Sequence, residues 1–163
     1  MTASLAGQLE REHVCTYELI RHRHTETAVD EAAVLGASQD EVGKTVVLLG
    51  SHGFVRVVIP ASARLDLHKV RPLVGCGAGI RLATEQELAE RYPMFELGAV
   101  PPFGGPSGDV SIVDRRLALR DAVVVEAGTH DESIRIAISD LIRIAGAQIA
   151  DVSVADVSTE VAV

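Results

Sequence analysis

Two β-branched runs separated by a short polar turn constrain the fold of this chain most strongly. The segments VGKTVVLLG (42–50) and FVRVVIP (54–60) are rich in valine, and Ser51, His52 and Gly53 lie between them. Residues branched at Cβ suit the pleated surface of a sheet, and a short glycine-containing turn between two such runs is typical of a hairpin. The pattern therefore predicts two antiparallel strands joined by a tight turn.

Short helices and further short strands are predicted around this hairpin. Capping signals predict one helix that starts at Thr27 and ends at Gly36, another that starts at Thr84, and a third that is capped by Ser139. The remaining predicted elements are a helix at 2–13, a short helix that begins at Leu65 and ends near Pro72, and strands at 17–22, 110–114, 122–128, 133–139 and 147–153. This irregular order favours a mixed α/β, α+β-like fold with a curved, partly antiparallel sheet, and it disfavours a Rossmann fold. With no repeat or linker, we expect a single domain over residues 1–163.

Composition and charge exclude several classes of protein. The chain has 163 residues, 47% of them hydrophobic, and this composition excludes a disordered chain. A net charge of −8 disfavours a protein that coats DNA or RNA, although a local basic patch could still recognise one nucleic-acid end. No apolar run is long enough to span a bilayer, and Cys15 and Cys76 are too few for a disulfide framework. We therefore expect a cytoplasmic protein with reduced thiols and no membrane partner.

Lys44 is the first candidate for a binding site. Strand alternation places it on one face with Val42, Val46 and Leu48, where an ammonium group is unexpected. One interpretation is a solvated lysine at a strand end. The other is a fixed cation at the mouth of a pocket that holds an anionic or oxygen-rich ligand.

The loop LGAVPPFGGP (97–106) is the second candidate. Its prolines restrict the backbone and its glycines allow conformations that other residues rarely adopt. It is either an ordinary turn or a preshaped loop that presents backbone N–H groups to a ligand. His130 lies in a turn between two predicted strands, where it is either solvated or part of a site.

Other chemistry has weak support in the sequence. The six histidines show no metal-binding pair at helical spacing, neither cysteine belongs to a C-x-x-C motif, and no G-x-S-x-G motif occurs. We therefore predict no metal and no cofactor. The acidic pairs Asp30/Glu31 and Asp131/Glu132 are interpreted as surface charge. Five arginines are either scattered surface residues or members of a local basic patch: Arg21, Arg23, Arg56, Arg64 and Arg81.

Taken together, four motifs resemble the YbaK family, which includes the editing domain of bacterial prolyl-tRNA synthetases and its free-standing relatives. They are Lys44-Thr45 in a strand, the segment Gly98 to Gly104, the turn Gly128-Thr-His130, and Ser139-Asp-Leu. The resemblance covers nearly the whole chain. It implies a mixed sheet that forms a partly closed barrel with flanking helices. It also implies hydrolysis of the ester that joins a wrong amino acid to the 3′-terminal adenosine of a tRNA.

The resemblance also implies roles for individual residues. Lys44 would contact the tRNA 3′ end, and backbone amides between Gly98 and Gly104 would lie beside the scissile ester. His130 matches a histidine of the prolyl-type editing proteins. Hydrolysis would then need positioning and an oxyanion site, with water activated by the ribose hydroxyl of the substrate. The residues assigned to substrate binding are Val100, Pro101, Pro102, Phe103 and Gly128.

The substrate and the partners follow from the same resemblance. The VPPFG form of the loop is closer to free-standing alanyl-prolyl-tRNA deacylases than to the subgroup that removes cysteine. We expect a small amino acid such as alanine or cysteine, on tRNA-Pro or a similar tRNA, with a synthetase as a further candidate partner. Two alternatives stay open: a non-catalytic module that binds a tRNA end or a synthetase, and a hydrolase of small esters.

Overall fold

The computed structural model describes residue 9 and residues 17–75 and 79–156. The described strands are β1 (Tyr17–Arg21), β2 (Val42–Gly50), β3 (Gly53–Pro60), β4 (Ala63–Leu65), β5 (Arg81–Leu82), β6 (Val110–Asp114), β7 (Ala122–Glu126), β8 (Glu132–Ala137), β9 (Gln148–Ala150) and β10 (Ser153–Ala155). The described α-helices are α1 (Ala28–Leu35), α2 (Leu67–Val70), α3 (Glu85–Arg91), α4 (Arg115–Ala118) and α5 (Ile138–Ala145). A short 3₁₀ turn, Arg71–Leu73, follows α2.

The predicted hairpin is confirmed and forms the centre of the sheet. Strands β2 and β3 pair antiparallel from Gly43 opposite Pro60 to Gly50 opposite Gly53. Both faces of β3 are covered, because Val57 packs in one hydrophobic cluster and the next residue, Val58, packs in another. A strand that is buried on both faces has a continuous apolar sequence instead of an alternating one, which explains the FVRVVIP run.

The main sheet is mixed, with the order β1-β8-β7-β2-β3-β6-β9, and β4 and β10 form a separate antiparallel pair. Parallel pairs join β7 to β2, β3 to β6 and β6 to β9, and the other neighbours in this order are antiparallel. The predicted mixed α/β class with flanking helices is confirmed. No pairing joins β1 to β9 in the described part of the chain, so partial closure into a barrel stays a prediction.

Most of the predicted helix ends are confirmed. The hydroxyl of Thr27 accepts from the N–H of Asp30, Thr84 and Glu87 form a reciprocal capping box, and Gly36 ends α1 with φ +64°. The prediction that Ser139 caps a helix is wrong, because α5 already begins at the preceding residue.

Helix α5 begins without a capping side chain, and a backbone bond from outside the helix satisfies one N–H of its first turn. The N–H of Ile138 donates to the carbonyl oxygen of Asp121 at 3.0 Å. An N–H that is already satisfied in this way needs no side-chain acceptor. Leu141 of the same helix is fully buried, so packing against the sheet also sets where the helix lies.

Some short elements differ from the prediction or were not predicted. The segment 147–153 was predicted as one strand, but it contributes to two strands, β9 and β10. Helix α4 and the strands β4 and β5 are two to four residues long and carry little periodic signal. The predicted helix at 2–13 and both cysteines, Cys15 and Cys76, lie outside the described residues apart from the buried Leu9. Among the described residues, no helix is both long and apolar enough to cross a membrane.

A split in the sheet beside β2 positions the candidate site. Near its start β2 pairs with β7, at Val42 and Gly43, and near its end it pairs with β5, at Leu48 and Leu49. Between these two neighbours the edge of β2 has no strand partner in the described residues, and Lys44 is the first residue of this gap. An interrupted sheet edge of this kind leaves room for a cavity.

Candidate functional site

A hollow of about 290 Å³ lies at the split. Its lining comes from the start of α1, from β2, from the end of β7 and from the glycine–proline loop. The lining residues are Glu26, Thr27, Ala28, Val29, Gly43, Lys44, Thr45, Gly98, Val100 and Glu126. The structure therefore brings three of the residues named from the sequence, Lys44, Gly98 and Val100, to one cavity.

Lys44 presents a half-buried ammonium group to this hollow. Burial lowers its pKa, and the charge of Asp156 opposes that shift. A lysine that is partly removed from water gains more from an anionic ligand than a fully solvated one does. Its position agrees with a cation in a pocket wall and differs from that of a fully solvated lysine.

The glycine–proline loop contributes to the hollow only through its first part. Gly98 and Gly104 have φ of +84° and +88°, so glycine is required where the backbone turns into and out of the segment. Pro102, Phe103 and Gly104 line a second hollow of about 220 Å³, and Phe103 packs in the hydrophobic core. The structure therefore does not bring these three residues together with Lys44.

Arg56 fixes the shape of the glycine–proline loop through hydrogen bonds from its side chain to the loop backbone. Its Nη1 donates to the carbonyl oxygen of Pro101 at 3.0 Å, its Nη2 donates to that of Gly104 at 2.7 Å, and its Nε pairs with Asp109 at 2.9 Å. Only 2% of Arg56 is exposed. Both interpretations of Arg56, a scattered surface residue and a member of a basic patch, are therefore wrong, because the guanidinium is buried and each of its nitrogens has a partner inside the protein.

Asp109 anchors this buried network. Burial favours a higher pKa for its carboxyl, but hydrogen bonds from Tyr92, Arg91 and Arg56 outweigh burial and lower the pKa. Burial and the bond to Asp109 raise the pKa of Tyr92 to about 12. A buried carboxylate with three donors is a rigid support, because two guanidinium groups balance its charge and a tyrosine hydroxyl donates a further hydrogen bond.

His130 does not line the hollow, but it supports the glycine–proline loop through hydrogen bonds to the residues just before Gly98. It is 7% exposed, and its Nε2 donates to the carbonyl oxygen of Leu97 at 2.6 Å. Its backbone N–H donates to the carboxylate of Glu96 at 2.9 Å, and the N–H of Glu96 donates to the carbonyl oxygen of Gly128 at 2.8 Å. These bonds join the turn at 128–130 to the residues just before Gly98.

Gly128 is a glycine for two separate reasons. Its φ is +99°, and a Cβ at this position would lie 2.8 Å from Cδ1 of Phe95. Both the conformation and the close packing exclude a larger residue. The structure thus places Gly128 in the joint between the two loops and not in the lining of the hollow.

Two acidic residues of the site were missed from the sequence. Glu126 lines the hollow, and burial followed by repulsion from Glu31 raises its pKa to about 8. Glu31 was interpreted as surface charge, but it is fully buried, and burial raises its pKa to about 7. Its neighbour Asp30 is exposed as expected. The one available signal was position, since Glu126 ends a run of buried valines and Glu31 shares a helix face with alanines.

A group with metal-ligand chemistry lies at the edge of the site. His24, Glu26 and His130 each offer one ligand atom, and these atoms lie within 4.8 Å of one another. His24 and Glu26 are also hydrogen-bonded at 2.5 Å, which raises the pKa of the exposed imidazole. The sequence did not predict this group, because His130 joins it from a distant part of the chain.

The fold and the hollow define a class of protein. A small mixed α/β fold that places a lysine and a preshaped glycine–proline loop on one cavity is suited to bind and position an oxygen-rich ligand for reaction at the loop. Residues 22–144 match the aminoacyl-tRNA editing domain family, and the chain belongs to this family.

Solved structures agree with this assignment. The hypothetical protein APE2540 is 31% identical, with a TM-score of 0.84 over 92% of this chain and 99% of its own. A proposed trans-editing enzyme for prolyl tRNA synthetase is 29% identical, with a TM-score of 0.83 over 92% of this chain and 94% of its own. Comparison with curated proteins gives no match.

Proposed function

We propose that the protein is a trans-editing aminoacyl-tRNA deacylase. It hydrolyses the ester between a small, wrongly attached amino acid, such as alanine or cysteine, and the terminal adenosine of tRNA-Pro or a similar tRNA. Membership of the editing family and the likeness to a proposed trans-editing enzyme support this activity. The observation that carries the proposal is the convergence of Lys44, Gly98 and Val100 on one hollow. The cytoplasmic location expected from the sequence is part of the same proposal.

Each wall of the hollow has a role in this mechanism. Lys44 holds the phosphate or the ribose of the terminal adenosine, so that the ester carbonyl lies against the loop. The amides of Gly98 and Val100 donate to the oxyanion, because both residues line the hollow and the N–H of Ala99 is already bonded to Glu96. Fixed donors aimed at a developing negative charge are among the largest contributors to catalysis.

The bond changes need no nucleophile from the protein. A water activated by the neighbouring ribose hydroxyl attacks the ester carbonyl, and the C–O bond to the ribose then breaks. The oxygen of the ribose leaves with a proton, and the free amino acid is released. His130 acts as a positioning residue in this scheme, since its bond to the carbonyl oxygen of Leu97 holds the backbone that leads to Gly98.

The hollow suits a small acyl group. At about 290 Å³ it accommodates a ribose with a short amino acid more readily than one with a bulky side chain. A small apolar pocket discriminates weakly between neighbouring sizes, so a second checkpoint beside a synthetase is chemically useful. Association with a synthetase is therefore included as a candidate interaction.

The chain offers a matched control for the main test, because Lys44 and Lys69 are its only lysines. Lys69 lies outside the hollow and pairs with Asp151 at 3.2 Å. We expect wild type and Lys69→Met to release amino acid from at least one of alanyl-, cysteinyl-, seryl- and threonyl-tRNA-Pro. We expect Lys44→Met to be about 100-fold slower, as for the loss of one charged transition-state contact.

Two results would decide against the proposal. Binding of mischarged tRNA with no turnover by the wild type would favour the binding module. Turnover of small aminoacyl esters with no dependence on tRNA would favour a small-ester hydrolase. Circular dichroism of each variant separates loss of activity from loss of folding.

A further inference from the structure

The hollow has an acidic side that the proposed mechanism does not use. Glu126 ends β7, and in the parallel pair of β2 with β7 the last matched residues are Gly43 and Val125. One residue further along each strand, Lys44 and Glu126 both line the hollow. A lysine and a glutamate thus both line this cavity.

Lys44 does not compensate the burial of Glu126. The Oε2 atom of Glu126 is buried and has no hydrogen-bond partner in the described residues. The pKa of Glu126 is raised to about 8, whereas an effective ion pair would lower it. Repulsion from Glu31, Glu96 and Glu26 adds to the effect of burial. Burial and three glutamates account for this shift, so among the described residues no cation balances the carboxyl of Glu126.

A second carboxyl, that of Glu31, repels Glu126 and raises the free-energy cost of keeping both groups charged. Glu31 is fully buried, and within the described residues neither of its oxygens has a hydrogen-bond partner. The hydroxyl of Ser133 lowers the pKa of Glu31, but burial is the larger cause and the pKa stays raised. A fully buried carboxyl and a half-buried one that repel each other are destabilising. Buried polar atoms without a partner are rare in proteins unless a ligand or a water satisfies them.

We propose that Glu126, with Glu31 behind it, forms the binding site for the ammonium group of the acyl part of the substrate. This inference rests on the proposed function, because an aminoacyl ester carries that ammonium next to the reacting carbonyl. The ammonium supplies the cation that the acidic wall lacks, and Lys44 faces the phosphate or ribose. A lysine and a carboxyl that line the same hollow suit a ligand with an anionic or oxygen-rich part and an ammonium group.

The site selects a chemical class of substrate. An ester whose amino group is acylated, as in a formylated aminoacyl-tRNA or a peptidyl-tRNA, has no ammonium and leaves both carboxyls uncompensated. Such esters are therefore excluded, although they contain the same scissile bond. The proposed ammonium site thus leaves formylated aminoacyl-tRNA and peptidyl-tRNA unhydrolysed.

Binding of stable amide analogues tests the site without any catalysis. The probes are 3′-alanylamino-3′-deoxyadenosine 5′-phosphate and the same molecule with an N-acetylated alanine, titrated by calorimetry at pH 7. We expect the wild type to bind the amine form at least tenfold more tightly than the acetylated form. Glu126→Gln should remove this preference while it leaves the affinity for the acetylated form within twofold. Glu90→Gln, a glutamate of α3 outside the hollow, should retain the preference.

Each other outcome overturns the inference. Equal wild-type affinity for the two analogues, or equal weakening of both by Glu126→Gln, would show that the amino group is not recognised by this carboxyl. Glu126→Asp keeps the charge and should retain part of the preference, which separates loss of the charge from a change of shape. Deacylation assays report separately on the proposed function. If the protein binds the amine form selectively but hydrolyses no aminoacyl-tRNA, the ammonium site is supported and the proposed editing activity is refuted.

Discussion

Replacement of Glu31 by glutamine should change how the stability of the protein depends on pH. Burial raises the pKa of this carboxyl from an ordinary value of 4.5 to about 7. The folded protein therefore binds the proton more tightly than the unfolded chain does. The contribution of Glu31 to stability is most favourable below pH 4.5, falls as the pH rises through the interval between the two values, and levels off above about pH 7.

The size of the effect follows from the same two values. Linkage gives a cost of about 1.4 kcal/mol at pH 5.5 and about 3.4 kcal/mol at pH 8, a difference of about 2 kcal/mol. For a protein of this size, about 2 kcal/mol corresponds to a change in melting temperature of about 4–8 °C. Removal of the Glu31 charge also relieves the repulsion that raises the pKa of Glu126, so the two effects have the same sign.

Thermal and urea unfolding at pH 5.5 and pH 8 measure the effect. The wild type should lose at least about 2 kcal/mol of unfolding free energy between these values, and Glu31→Gln should lose about 2 kcal/mol less than the wild type. Glu18→Gln, which changes an exposed carboxylate of β1, is the control and should follow the wild type. If the wild type and Glu31→Gln lose the same unfolding free energy over this range, the claim that the buried carboxyl of Glu31 has a raised pKa is refuted.

Three further substitutions test the framework of the site by urea unfolding. Arg56→Met should lower the unfolding free energy by about 3–5 kcal/mol, because it breaks the buried ion pair with Asp109 and removes the donors to two loop carbonyl oxygens. An effect below about 1 kcal/mol would contradict this. Gly128→Ala should cost about 1–3 kcal/mol, and Phe95→Leu in the same chain should recover the steric part only, since the positive φ remains. Gly43→Ala should also cost about 1–3 kcal/mol, because its Cβ would lie 3.0 Å from a valine methyl. Gly79→Ala, where a Cβ meets nothing within 4 Å, should be nearly neutral.

The features that could be predicted from the sequence depend on neighbouring residues. The hairpin follows from two adjacent valine-rich runs, and the start of α3 follows from Thr84 and Glu87, which cap each other three residues apart. Glycine at 98 and 104 indicated the turns of the loop, and both have a positive φ. Each of these signals is contained in a few consecutive residues, so it can be recognised before the chain is folded.

The features that were missed depend on contacts between distant segments. Arg56 and Asp109 are 53 positions apart, and no local pattern distinguishes this buried arginine from the exposed ones. Glu31 follows a helix start where acidic residues are common, so its burial is apparent only once α1 packs against the sheet. The role of His130 as a support likewise requires the turn at 128–130 to meet the residues before Gly98.

The gap beside β2 has a consequence for what can enter it. The carbonyl oxygen of Val47 accepts from the N–H of Ala83 on this edge, and backbone groups two residues apart in a strand point the same way. The N–H and C=O of Thr45 are therefore directed into the opening, where neither β7 nor β5 reaches. A ligand with its own hydrogen-bond donor and acceptor, such as the edge of a base or an extended amide, can therefore bond to the backbone of Thr45. In that position it takes the place of a neighbouring strand beside this part of β2.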